Sequence, residues 1–103
     1  MARSVLYAPE AAEDLLQLYR YIAEQSGPER ARGYVGRIEA QCKSLAEFPE
    51  RGRLRNDLRP GLRITGFERR VSIAFHITAE TVVIDRVLYG GRDLERSLGG
   101  EEG

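Results

Sequence analysis

His76 and Cys42 are the one histidine and the one cysteine of the chain, and so its whole supply of groups that ordinarily titrate or attack near neutral pH. A nucleophile and base of that kind could only be Cys42 with His76, and a lone cysteine forms neither an internal disulfide nor a thiolate metal cage. Cys42 falls in phase with Val35, Ile38 and Leu45, so it is expected to pack in the core as a small apolar residue. His76 alternates with Val71, Ile73 and Phe75, which gives it a structural or surface role, with a proton carrier as the alternative. No Gly-x-x-x-x-Gly-Lys or Gly-x-Gly-x-x-Gly string occurs, and nucleotide-driven chemistry is not expected. Neither a cofactor nor a metal is expected.

Arginine is the abundant functional group. The chain carries 16 Lys+Arg against 16 Asp+Glu, and Lys43 is the one lysine among the basic residues. Residues 51–70 hold seven arginines, Arg51, Arg53, Arg55, Arg59, Arg63, Arg69 and Arg70, against Asp57 and Glu68. Planar guanidinium groups favour bidentate contacts, so this segment reads as a surface for phosphates or for the carboxylates of an acidic protein segment. The plainer reading is a solvated loop and sheet edge. Arg86 stands apart because it interrupts the apolar run Val82, Val83, Ile84, Val87, Leu88. It must be paired, either to Asp93 or a helix carboxylate within the fold, or to a phosphate, with Tyr89 and Arg92 close by in sequence. Arginine stays protonated and cannot act as a general acid or base. In a nuclease it would stabilise charge on phosphorus and leave Tyr89, His76 or Glu68 to move protons.

The elements that must position these groups follow from periodicity. Ser4 to Tyr7 suits a short strand, and Pro9 stops it and opens a helix, with Glu10, Glu13 and Asp14 complementing its N-terminal dipole. Ala12, Leu15, Leu16, Tyr19, Ile22 and Ala23 recur at spacings of three and four, which predicts a helix over 9–25. Ser26 and Glu29 have the spacing of a capping box, so a second helix is expected at once, ending near Phe48-Pro49. Gly33 and Gly36 inside it suggest close approach to another backbone. Glu50 to Gly61 reads as a basic loop, Leu62 to Thr65 as a strand pausing at Gly66, Val71 to Ile77 as a half-buried strand, and Thr81 to Tyr89 as its hairpin partner.

The expected architecture is α+β in two layers: an N-terminal strand, an antiparallel helical hairpin, then a three-stranded antiparallel sheet, with the other sheet face open to solvent or a partner. Residues 1–98 are expected to form one domain and residues 99–103 a flexible tail. With 103 residues the chain can bury one modest core, and its apolar runs are far shorter than the roughly 20 residues of a membrane span. A soluble, cytoplasmic protein is expected.

Five strings, in this order, resemble the ParE branch of the RelE/ParE toxin family: Tyr7-Ala8-Pro9-Glu10-Ala11-Ala12-Glu13-Asp14-Leu15, Tyr21-Ile22, Phe48-Pro49-Glu50-Arg51-Gly52-Arg53, Leu58-Arg59-Pro60-Gly61-Leu62-Arg63, and Arg86-Val87-Leu88-Tyr89-Gly90-Gly91-Arg92-Asp93-Leu94. The resemblance implies the β-α-α-β-β-β fold of these toxins and the toxin half of a type II toxin–antitoxin pair. It also implies a cognate ParD-like antitoxin as partner, in a heterotetramer or larger assembly. ParE-like members inhibit DNA gyrase and block replication; RelE-like members are ribosome-dependent mRNA endonucleases that use a basic cluster including lysines. Arg63, Arg86 and Tyr89 are loosely comparable with that cluster, but Lys43 lies in the second helix, which favours gyrase inhibition with no catalytic residue. Target or antitoxin contacts are expected from Arg63, Arg69, Arg70, Arg86, Tyr89 and Arg92.

Overall fold

Pro9 decides where the first strand ends. In the computed structural model, which describes residues 3–90, β1 (Ser4–Tyr7) gives way through an extended Ala8 to α1 (Pro9–Ser26), with Pro9 at the first helical position. Gly27, at φ +98°, is the whole link to α2 (Pro28–Ser44). Ser26 therefore belongs to α1, and no side chain caps α2, so the capping box with Glu29 does not form. Pro28 starts α2 instead. That helix stops at Ser44, before the expected Phe48, and the chain continues in turns held by Leu45 N–H to Cys42 O and Phe48 N–H to Ser44 O.

Four strands follow: β2 (Arg53–Leu54), β3 (Arg63–Phe67), β4 (Val71–Ile77) and β5 (Thr81–Tyr89). The basic loop thus contains a two-residue strand, and Gly66 continues β3 rather than interrupting it. The sheet order is β1-β5-β4-β3-β2, antiparallel throughout except for β1, which pairs parallel to β5. The α+β two-layer arrangement is as expected, with the sheet mixed and five-stranded.

The helical hairpin packs on one sheet face. Leu15, Leu18, Ile38, Cys42 and Leu45 meet Ile73, Phe75, Val82 and Ile84 in the main core. Burial pushes the Cys42 thiol up to about 11, so it stays protonated and serves as a packing group. The opposite face is not all open. Residues 55–62 fold back over it, with Arg55 N–H on Leu62 O and Gly61 N–H on Asn56 Oδ1, and bury Leu62, Ala74 and Leu88 in a second cluster.

A bulge in β5 resets the side-chain parity read from sequence. Ala74 pairs with Arg86 but Phe75 with Ile84, so Asp85 is an extra residue. Val82 and Ile84 enter the helix-side core, while Arg86 lies opposite Ala74 and no longer shares their parity. Asp85 reaches the half-exposed His76, with Oδ2 at 2.7 Å from Nδ1.

Gly33 and Gly36 meet no approaching backbone. A Cβ at Gly36 would touch nothing within 4 Å, and one at Gly33 only the tip of Arg37. Close approach occurs at Gly52, whose φ is +89° and whose Cβ would lie 2.7 Å from the Ile64 carbonyl oxygen. Gly36 is thus an exposed glycine in a helix interior with space around it, and Gly36→Ala is expected to raise stability by about 1 kcal/mol. The urea midpoint should move up with an unchanged slope; an unchanged or lower midpoint would contradict the open surroundings of Gly36.

Candidate partner-binding site

The register of β1 leaves β5 half uncovered. Tyr7 sits opposite Ile84, Ala8 N–H closes the pairing on Ile84 O, and β5 runs on to Tyr89 with no strand beside it on that edge among the described residues. Helix α1 takes the place of a strand through one carboxylate. Asp14 accepts the Val87 N–H at 2.9 Å and the Arg86 Nε and Nη2 at 2.8 and 3.0 Å. The pair is largely buried, with side-chain exposures of 21% for Arg86 and 10% for Asp14. Hydrogen bonding to Asp14 raises the Arg86 pKa, so the guanidinium is fixed in its charged form.

Beyond Asp14 the uncovered edge and α1 enclose a groove. A 480 Å³ cavity lined by Asp14, Gln17, Leu18, Tyr21, Val87, Tyr89 and Gly90 continues past Tyr21 and Tyr89 into one of 510 Å³, which Ile22, Gln25, Arg30, Gly33, Tyr34, Arg37 and Arg70 complete. Helical spacing brings α1 residues 14, 17, 18, 21, 22 and 25 to this one side. The rings form a connected wall: Tyr21 to Tyr89 at 6.1 Å, Tyr34 to Tyr89 at 6.3 Å and Tyr34 to Phe67 at 5.9 Å between centroids. Arg37 lies 5.2 Å above the Tyr34 ring and binds Glu68 with Nε at 3.1 Å and Nη2 at 3.3 Å. Glu68 and Arg69 form the β3–β4 turn at φ 51° and 65°, a left-handed conformation that non-glycine residues adopt at a cost.

Tyr34 Oη is buried with no hydrogen-bond partner among the described residues. Burial, with Tyr89 and Glu68 nearby, raises its pKa and keeps it neutral. The groove is therefore aromatic in its floor, cationic along the Arg30 and Arg70 side, and able to take an amphipathic segment carrying carboxylates.

The residues singled out from sequence are dispersed. Tyr89 is at the centre of the groove, Arg70 on its rim, and Arg86 behind it on Asp14. Arg69 is exposed at the turn tip, and Arg92 lies outside the described residues. Arg63 is elsewhere, with Nη1 on the Glu50 carbonyl at 3.1 Å. Its register, two strands and four positions from Tyr89, puts their backbones about 16 Å apart. Sequence reasoning missed Tyr21, Tyr34, Arg30 and Arg37. Tyr34 is indistinguishable from a core position by period alone, and only the pairing of α2 with the β3–β4 turn reveals it.

Against this geometry, a family model described as the ParE toxin of the type II toxin–antitoxin system parDE matches residues 5–94. The chain belongs to the ParE toxin family. It is 38% identical over 86 residues to Toxin ParE3 of Caulobacter vibrioides, covering 84% of this chain and 85% of that protein. Among solved structures it resembles a chain of the chromosomal ParDE toxin–antitoxin system of P. aeruginosa, with a TM-score of 0.75 and 29% identity over 86% of this chain and 97% of that one. A chain of the RelBE2 toxin–antitoxin complex of Mycobacterium tuberculosis shares the fold, with a TM-score of 0.64 and 23% identity over 86% and 92% of the two chains. The ParE assignment makes this chain a type II toxin.

The groove depends on Asp14, which gives a test. Asp14→Ala strands both the Arg86 charge and the Val87 N–H and is expected to cost about 2 kcal/mol. Arg86→Ala should cost less, because Asp14 still accepts from Val87. Equal or negligible losses in urea melts of the two variants would contradict the role of Asp14 as a stand-in for a strand.

Proposed function

We propose that this ParE-family toxin inhibits DNA gyrase and so blocks replication in the cytoplasm. A cognate ParD-like antitoxin neutralises it by laying a folded C-terminal segment into the groove between α1, α2 and the end of β5. The observation that carries inhibition over cleavage is the placement of the three side chains a nuclease would use. Arg86 is held by Asp14, Arg63 is anchored on Glu50 two strands from Tyr89, and Tyr89 is packed among Tyr21 and Tyr34. They converge on no common point where a phosphate could sit. Inhibition by binding needs no general base and agrees with the poverty of the chain in histidine and cysteine. The likeness to Toxin ParE3 and to a chain of a ParDE system supports the same reading.

The antitoxin assignment is supported by the chemistry of the groove. Its aromatic floor fits the apolar side of an amphipathic segment, and Arg30 and Arg70 line it where acidic side chains of that segment would fall. Antitoxin and toxin would then assemble as a heterotetramer or larger.

The test is gyrase itself, incubated with plasmid, ATP and full-length toxin, with and without antitoxin. Loss of supercoiling or accumulation of cleaved plasmid, reversed by antitoxin, is the expected result. Unimpaired gyrase together with cutting of ribosome-bound mRNA by the same sample would sink the proposal and return the chain to the nuclease reading.

A further inference from the structure

Apart from Arg70, the arginine-rich segment is not absorbed by the groove. Both of its acidic residues are neutralised within the fold: Arg55 holds Asp57 with two bonds of 2.8 and 2.7 Å, and Arg37 of α2 holds Glu68. Four of the segment's arginines then stand along the β2–β3 edge. Arg51 follows α2, Arg53 stands on β2, Arg63 opens β3 and Arg69 occupies the turn after it. Pleat alternation sets Arg53 with Ile64 on one sheet face and Arg63 with Phe75 on the other, so the edge is cationic on both sides. The five residues of β3 between the two ends span about 16 Å.

We propose that this edge binds the phosphate backbone of duplex DNA. The inference goes beyond the gyrase reading and stands without it. The chain has no net charge, so it gains no general attraction to a polyanion, and binding must come from a local array. The edge lies across the sheet from β1, on the far side of β4 from β5, so a partner seated in the groove leaves its β2 side exposed. The one exposed aromatic ring beside this edge among the described residues, Phe48, carries the Arg51 guanidinium 5.1 Å from its centroid. That arrangement presents a flat, oriented cation, and a single ring gives successive bases no series of rings to stack on, which favours backbone contact with a duplex over a single strand. Glu47 and Glu50 adjoin Arg51 and mark the limit of the positive edge at the α2 end.

The proposal is tested by fluorescence anisotropy of a labelled duplex of about 20 base pairs with the full-length toxin, between about 50 and 200 mM salt. Affinity is expected to fall steeply with salt. The double variant R51Q/R53Q should bind at least about tenfold more weakly at the low-salt end and lose about two from the log–log slope. R20Q/R32Q removes two exposed arginines from the helices and should bind as the unaltered toxin does; circular dichroism melts check that both fold, and R69Q supplies a second edge variant if R51Q/R53Q does not. No binding, an equal loss in the helix variant, or polyglutamate bound by Arg51 and Arg53 in preference to the duplex would each overturn the assignment. The outcome is separate from the gyrase assay, since neither enzyme nor antitoxin is present.

Discussion

One carboxylate, that of Asp14, makes up for a strand that is too short. Pro9 forces the chain into a helix five positions before Asp14, and β5 continues past the point where its parallel neighbour has stopped. An uncovered strand would leave the Val87 N–H unsatisfied beside an arginine that needs a counter-charge. Asp14 meets both demands at once and ties α1 to the end of β5. Leu15 and Leu18 pack α1 on the face of the sheet, and Asp14 adds the polar tie between the helix and the open edge of β5. From there to Tyr34 the hairpin meets the end of β5 through ring contacts and not through backbone bonds, and the groove runs along them.

The same economy appears at the bulge. An extra residue at Asp85 turns the last part of β5, so that Asp85 pairs with His76 while Arg86 is free to reach α1. Without the slip, Arg86 would share parity with Val82 and Ile84, which are fully buried against the helices. The bulge therefore keeps a charge out of the main core and delivers it to its partner. A second tie closes the other end, where Arg37 of α2 holds Glu68 in a left-handed turn. Between these two ion pairs the aromatic wall is presented on rigid elements.

Much of this was legible in the sequence. Pro9, the apolar spacing of α1 and the alternation of Val71 to Ile77 specify the helix and strand because each is a local backbone or burial constraint. That Arg86 needs a carboxylate also follows locally, but which one does not: Asp14 is 72 positions away, and only the parallel pairing of β1 with β5 brings it close. The bulge was hidden because Asp85 and Arg86 are both polar and no turn residue marks the slip. Ser26 and Glu29 mimicked a capping box, yet the rigid Pro28 and permissive Gly27 set the boundary. Tyr34 carried no sign of its orphaned hydroxyl, since burial of a polar tip is a property of packing and not of spacing.

The groove beside Asp14 is the proposed seat of the antitoxin. Hydrogen–deuterium exchange of the toxin, free and in complex with its antitoxin, addresses it directly. Slowed exchange in peptides spanning the middle of α1, the first half of α2 and Val87 to Gly90, with β2 and β3 unchanged, is the result expected. Protection confined to β2, β3 and the loop between them, with the groove peptides unaltered, would contradict it.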